Sequence, residues 1–137
     1  IVGERSAVQV PIVGRVAAGQ PILAEQHIEG YVPFSPPHGT GDEYFALNVR
    51  GDSMKDIGMI DGSLVLFRKQ QYADEGQIVA CLVGGESATV KRFHRHGKNI
   101  FLMPENPDYT PIRLSVEDFE SGEARILGVA CEIKIKL

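Results

Sequence analysis

The sequence predicts a mostly β domain, built as a compact, strongly bent sheet or a partly open barrel. Three observations predict it. Fifteen Gly and eight Pro divide the chain into short apolar runs, several of those runs alternate with the period of a half-buried strand, and no stretch keeps a helical repeat beyond about two turns. Many short strands between turn signals bury their apolar faces by folding one sheet over on itself.

The elements follow in chain order. In residues 1–43, Pro11, Pro21, Pro33, Pro36 and Pro37 interrupt any regular strand and Gly14, Gly19, Gly30, Gly39 and Gly41 add freedom, so this segment is expected as a long arm on a body formed by 44–137. In 44–50, Phe45, Leu47 and Val49 alternate with Tyr44, Ala46, Asn48 and Arg50, a strand that stops at Gly51. Residues 64–67 form a shorter, continuous apolar run. Residues 77–83 and 88–94 flank Gly84-Gly85-Glu86-Ser87 and read as a long hairpin, with Thr89, Lys91 and Phe93 on one face. A strand over 100–103 precedes Pro104-Glu105-Asn106-Pro107. The last strand covers 124–137 and is expected to carry Leu127, Val129, Cys131, Ile133 and Ile135 on one side.

A chain of 137 residues fits one domain. With 43% hydrophobic residues, 23% charged residues and a formal net charge of -4, it has the profile of a soluble globular protein and excludes a disordered tail or a nucleic-acid coat. No apolar stretch approaches the roughly 18 to 20 residues of a membrane helix, and Ile1-Val2-Gly3-Glu4-Arg5 lacks the order of a signal peptide, so a cytoplasmic location is expected. The first residue is not Met, from which an upstream part removed from this chain is expected. Cys81 and Cys131 each lie in an apolar run and are expected as reduced core residues.

The segment Val49-Arg50-Gly51-Asp52-Ser53-Met54-Lys55-Asp56-Ile57-Gly58 places a serine just after a strand and a glycine, where a short helix can begin. A hydroxyl there sits beside N–H groups without intrahelical partners, the donors an oxyanion needs. A plain structural role fits equally, because Ser53 with Asp56 has the form of a helix-capping box.

A nucleophilic serine needs a base. His27 and His38 fall in the arm, while His94 and His96 fall in the basic run 91–98, which reads as a solvated hairpin end; none has an evident carboxylate to orient it. His94 and His96 share a strand face, but no further ligand cluster lies nearby to complete a metal site. Lys55 would point to another side of a helix. Lys91 is better placed, in the strand Ala88-Thr89-Val90-Lys91-Arg92-Phe93, where its stem can be buried. At a pKa near 10.4 only about 1 lysine in 2,500 is neutral at pH 7, a cost of roughly 4.6 kcal/mol that desolvation can remove. The alternative is a lysine that faces water.

Four segments in this order, Val13-Gly14-Arg15-Val16-Ala17-Ala18-Gly19, then Gly51 to Gly58 with Asp61-Gly62, then Ala88-Thr89-Val90-Lys91-Arg92, then Met103-Pro104-Glu105-Asn106-Pro107, resemble those of the LexA-type self-cleaving repressors. That family includes UmuD-type polymerase subunits and phage repressors, and its fold is similar to the signal peptidase core. The resemblance spans nearly the whole chain. It implies that Ser53 is the nucleophile, Lys91 the uncharged base and Ala18-Gly19, in the protein's own arm, the bond broken. Ala17, Ala18 and Gly19 are small enough for the arm to approach a nucleophile closely, although alone they read as an ordinary loop. Thr89, on the face of Lys91, and Met54, beside Ser53, take supporting roles.

The resemblance further implies a RecA filament on single-stranded DNA as activator, favouring a docked over an undocked arm. It implies no cofactor. It implies a homodimer, for which the apolar strand 126–137 is the expected edge, and operator DNA bound only through an N-terminal helix-turn-helix outside this chain. Cleavage would separate paired DNA readers and end repression in an SOS or phage-type response to DNA damage. Three rival readings remain. A UmuD-type subunit is typically cut after Cys, where Ala18 stands here; a signal peptidase needs a membrane anchor; and a non-catalytic dimerisation or sensing module would hold Ser53 as a cap and Lys91 in water.

Overall fold

The computed structural model describes residues 7–14, 23, 27–36, 43–84 and 87–135. Its strands are β1 Val8–Val13, β2 Ile28–Phe34, β3 Tyr44–Asn48, β4 Leu64–Lys69, β5 Ile78–Val83, β6 Ser87–His96, β7 Asn99–Met103, β8 Ile112–Ser115 and β9 Ala124–Lys134, with one short helix, α1 Val116–Ser121, before β9. They join in a single open sheet in the order β2-β1-β3-β4-β9-β5-β6-β7-β8, which is the mostly β, unclosed architecture expected. Neighbours run antiparallel except β1 and β3, which meet in parallel at Ile12 and Ala46.

The central strands are buried on both faces, and alternation divides their side chains. Phe45 and Leu47 of β3, Val65 and Phe67 of β4 and Ala80 and Leu82 of β5 form one cluster, which also takes Met54 and Met59 from the loop after β3. On the opposite face, Val79 and Cys81 of β5 join Phe93, Ile100, Leu102 and Ile126, covered by Val116 and Phe119 of α1. Tyr44, Ala46 and Leu66 meet Val10 and Phe34 in a third cluster under β1 and β2. Phe45 and Phe67 stack with ring centroids 5.2 Å apart, at the middle of the first cluster.

Two expectations are corrected here. Prolines do not exclude strands before residue 43. Pro11 stands opposite Tyr31 and Pro33 opposite Gln9 within the β1–β2 ladder; β2 is a sheet edge and β1 touches β3 at one bridge, so a proline's missing N–H leaves little of the ladder unmade. Nor does β9 keep its apolar residues on one side. Its pairing passes over Leu127 against β5 and over Cys131 against β4, and each extra residue reverses the alternation. Leu127 therefore joins the first cluster and Val129 the second, while Cys131 is exposed rather than in the core. Between the bulges lies Gly128, where a Cβ would stand 2.6 Å from the Arg68 carbonyl oxygen and 2.8 Å from the Phe45 ring.

Candidate active site

Ser53 lies in the loop between β3 and β4, and the ends of that loop are tied as a strand pair would be. Val49 N–H donates to the Ser63 carbonyl at 2.8 Å and Gly62 N–H to the Val49 carbonyl at 2.9 Å. Gly51, at φ 81°, turns the chain in the left-handed region that glycine tolerates, and its N–H donates to Asp61 Oδ1 at 2.7 Å. The Met54 side chain is buried in the first cluster, which fixes the residue beside Ser53.

No capping box forms at Ser53. The expected helix is a single 3-10 turn, Lys55–Ile57, whose N-cap is Met54 and which has no side-chain cap. The sequence's capping box is instead at Ser115 and Asp118, at the start of α1. Among the described residues, Ser53 Oγ has no hydrogen-bond partner, and the N–H groups of Ser53 and Met54 have no acceptor.

Lys91 approaches from β6. It is buried, at 9% exposure. Its Nζ donates to Thr89 Oγ1 at 2.7 Å and to the Val90 carbonyl at 3.2 Å, and no ion pair among the described residues involves it. Desolvation alone holds its pKa below the usual lysine range. These two acceptors, both on its own strand, leave one position on the amine nitrogen unused among the described residues. The solvated-lysine alternative is thereby set aside.

Ser53, Met54, Thr89 and Lys91 all line one cleft of about 320 Å³. Ser53 and Lys91 share it without a hydrogen bond between them. Val13 and Gly14 at the end of β1 and Glu29 near the start of β2 also line it, and Gly14 N–H donates to the His27 carbonyl at 2.8 Å. The chain between β1 and β2 thus leaves and re-enters beside this cleft. Ala18 and Gly19 belong to that connection and lie outside the described residues; Leu23 is packed against the first cluster.

The cleft also exposes a strand edge. Phe93 N–H donates to the Gln77 carbonyl, so Phe93, Lys91 and Thr89 turn their backbone groups towards β5, and Ala88 and Val90 turn theirs outward. β7 pairs with β6 only from Arg92 onward. Over Ser87 to Lys91 the outer edge therefore has no strand partner among the described residues.

The remaining candidates lie elsewhere. Lys55 is exposed and does not line the cleft. Contrary to the sequence reading, His94 has a carboxylate partner: its Nδ1 pairs with Glu75, whose other oxygen accepts the Arg95 N–H at 2.9 Å, and these contacts hold the exposed Glu75 carboxyl below its usual range, the backbone bond most. None of these residues reaches the cleft. Among the described residues no group of His, Cys, Asp and Glu could hold a metal ion, and no helix is long and apolar enough to cross a membrane.

A family model described as Peptidase S24-like matches residues 11–131. The chain belongs to the Peptidase S24-like family. Similar proteins include several named as LexA repressors. The chain is 45% identical over 111 residues to "LexA repressor 1" of Pseudomonas syringae pv. tomato, covering 81% of this chain and 54% of that protein. It is 43% identical over 129 residues to "LexA repressor" of Corynebacterium efficiens (93% and 52%), and 50% identical over 122 residues to "LexA repressor" of Acidothermus cellulolyticus (88% and 41%). The chain spans about half the length of the curated relatives it matches. Ser53 and Lys91 both fall within the matched residues.

Proposed function

We propose that the chain is the self-cleaving domain of a LexA-like transcriptional repressor, with Ser53 as nucleophile, Lys91 as general base and its own Ala18–Gly19 bond as substrate. One observation carries the reading: a buried amine lines the same cleft as Ser53, and among the described residues the amine has no ion-pair partner and the serine hydroxyl no hydrogen-bond partner. The position of the substrate segment supports the intramolecular part. Ala18 is four residues beyond Gly14, a span of at most roughly 14 Å when extended, and Gly14 already lines the cleft.

In this mechanism the segment before Gly19 adds as a strand to the outward groups of Ala88 and Val90. Neutral Lys91 takes the Ser53 proton and the alkoxide attacks the Ala18 carbonyl carbon. The N–H groups of Ser53 and Met54 hold the oxyanion. The Lys91 ammonium then returns its proton to the Gly19 nitrogen as the peptide bond breaks, leaving an Ala18 ester on Ser53. Water, deprotonated by Lys91, hydrolyses that ester and restores the serine. Thr89 holds the amine through the cycle, and Met54 anchors the loop.

The arm, residues 1–43, carries the substrate, and the body, residues 44–137, carries the cleavage groups. At rest the part of the arm between β1 and β2, which carries Ala18 and Gly19, is undocked, and a RecA filament on single-stranded DNA binds the docked arrangement more tightly, so cleavage follows DNA damage. The protein acts in the cytoplasm as a homodimer and binds operator DNA through an N-terminal part outside this chain; the expected dimer edge, strand 126–137, is cut back by the place of β9 between β4 and β5 to residues 130–134, where β5 no longer pairs with it. Cutting between the two parts ends the gain from tethering paired readers. The test is incubation of the chain across alkaline pH beside Ser53→Ala and Lys91→Ala, with fragment masses read by mass spectrometry. The reading requires one cut, between Ala18 and Gly19, absent in both variants; an intact parent chain at every pH rejects it. Separately, RecA filaments that leave the full-length protein's rate unchanged reject the trigger alone.

A further inference from the structure

Residues 103–109 grip the Ser53 loop through its backbone. Glu105 N–H donates to the Ser53 carbonyl at 2.8 Å, and Asp56 N–H returns a bond to the Glu105 carbonyl at 3.0 Å. Asn106, one of the few buried polar residues at 4% exposure, donates from Nδ2 to the Asp52 carbonyl at 2.9 Å. Its Oδ1 accepts the Asp108 N–H at 2.9 Å, so the amide is held in one orientation with its donor facing Asp52.

These contacts have a consequence for the N–H groups. In a trans peptide the C=O and the following N–H point in opposite directions, and no peptide here is cis. With the Asp52 carbonyl held by Asn106 Nδ2 at 2.9 Å and by the Lys55 N–H at 3.2 Å, the Ser53 N–H is turned away from the 103–109 loop. With the Ser53 carbonyl held by Glu105, the Met54 N–H is turned the same way. Ser53 and Met54 line the cleft, whereas Glu105 and Asn106 do not.

We propose that Asn106 is a positioning residue for oxyanion stabilisation: by holding the Asp52 carbonyl it fixes the plane of the peptide whose N–H, on Ser53, receives the developing negative charge. The inference rests on the protease reading above. Tyr109 steadies the same residue from its other end, with Oη donating to Asp52 Oδ1 at 2.7 Å.

The experiment measures self-cleavage against pH for the parent chain, Asn106→Ala and Asn106→Asp, well below the melting temperature of each. Asp has the shape of Asn and can still accept from Asp108, but it sets an oxygen against the Asp52 carbonyl. A packing role therefore makes Asp the milder change, and a positioning role makes it at least as severe as Ala. The expected result is an unchanged pH midpoint with the alkaline plateau rate lowered about 10 to 100 fold, and Asp no faster than Ala. Should Asn106→Ala fail to fold, Asn106→Asp alone carries the test. A parent-like plateau in Asn106→Asp, or a loss that comes wholly as a shift of the pH midpoint, overturns the inference and leaves the Ser53–Lys91 assignment standing. An uncut parent chain overturns both.

Discussion

Replacing Lys91 by Met in a Ser53→Ala background removes one titrating group and keeps a side chain of comparable reach, so its signature lies in stability against pH. Desolvation lowers the Lys91 pKa in the folded chain, while unfolding returns it to its ordinary value near 10.4. Between those two values the unfolded chain binds more protons than the folded one, so stability rises with pH. Below the folded pKa both states are protonated, the slope vanishes and the desolvation cost is fully present; above about 10.4 both are neutral and the cost is gone. One proton limits the slope to about 1.4 kcal/mol per pH unit. The assay is urea denaturation of Ser53→Ala with and without Lys91→Met, at intervals from about pH 7 to about 10.5. Subtracting the curves isolates Lys91, since every other titrating group is common to both. The Ser53→Ala chain should gain stability relative to the double variant as pH rises. The gain should begin where the cleavage rate of the unsubstituted chain stops climbing tenfold per pH unit, because both report the same deprotonation. Parallel curves, or an onset far from the break in cleavage rate, refute the reasoning.

Other expectations follow from single contacts. Thr89→Val removes the 2.7 Å partner of Lys91 Nζ; a bond worth about 1 kcal/mol predicts cleavage slowed roughly five- to tenfold, and unchanged kinetics would remove Thr89 from the mechanism. Gly128→Ala forces a methyl group against the Arg68 carbonyl and the Phe45 ring and should cost about 1 to 3 kcal/mol in chemical denaturation, whereas a stability equal to the parent's would show that β9 can shift there. Cys81 is fully buried with its thiol pushed up to about 12, and Cys131 is exposed; a disulfide reagent should titrate one thiol in the folded chain and the second only in denaturant, and two fast thiols would contradict the placement of Cys81.

The strands of the body were legible because their signals are local. Alternation in Phe45, Leu47 and Val49 and the glycine turn between residues 83 and 87 define β3 and the β5–β6 hairpin without any knowledge of partners. What was not legible depends on partners. Pro11 and Pro33 are tolerated only because β2 is an edge and β1 meets β3 at one bridge, which no local pattern encodes. The bulges at Leu127 and Cys131 arise from the registers that β9 keeps with β4 and β5. At the site, the residue types at 53 and 91 could be singled out, but each had a plain structural alternative: the helix cap was the better local reading of Ser53, and a solvated Lys91 was as good as a buried one. The structure removes those alternatives, since Ser53 caps no helix and Lys91 is buried. Asn106 was visible only as part of a recurring segment; its grip on Asp52 spans 54 residues of sequence and had no signal of its own.

Intramolecular cleavage fixes both where the chain is cut and whose serine cuts it. The most direct measurement mixes the unlabelled chain with an isotopically labelled Ser53→Ala chain at alkaline pH and follows fragments of both by mass. Unlabelled chains should be cut between Ala18 and Gly19 at a first-order rate independent of concentration, while labelled chains stay largely whole. Labelled chains cut as fast as unlabelled ones, a cut elsewhere, or no cut at all would contradict that expectation.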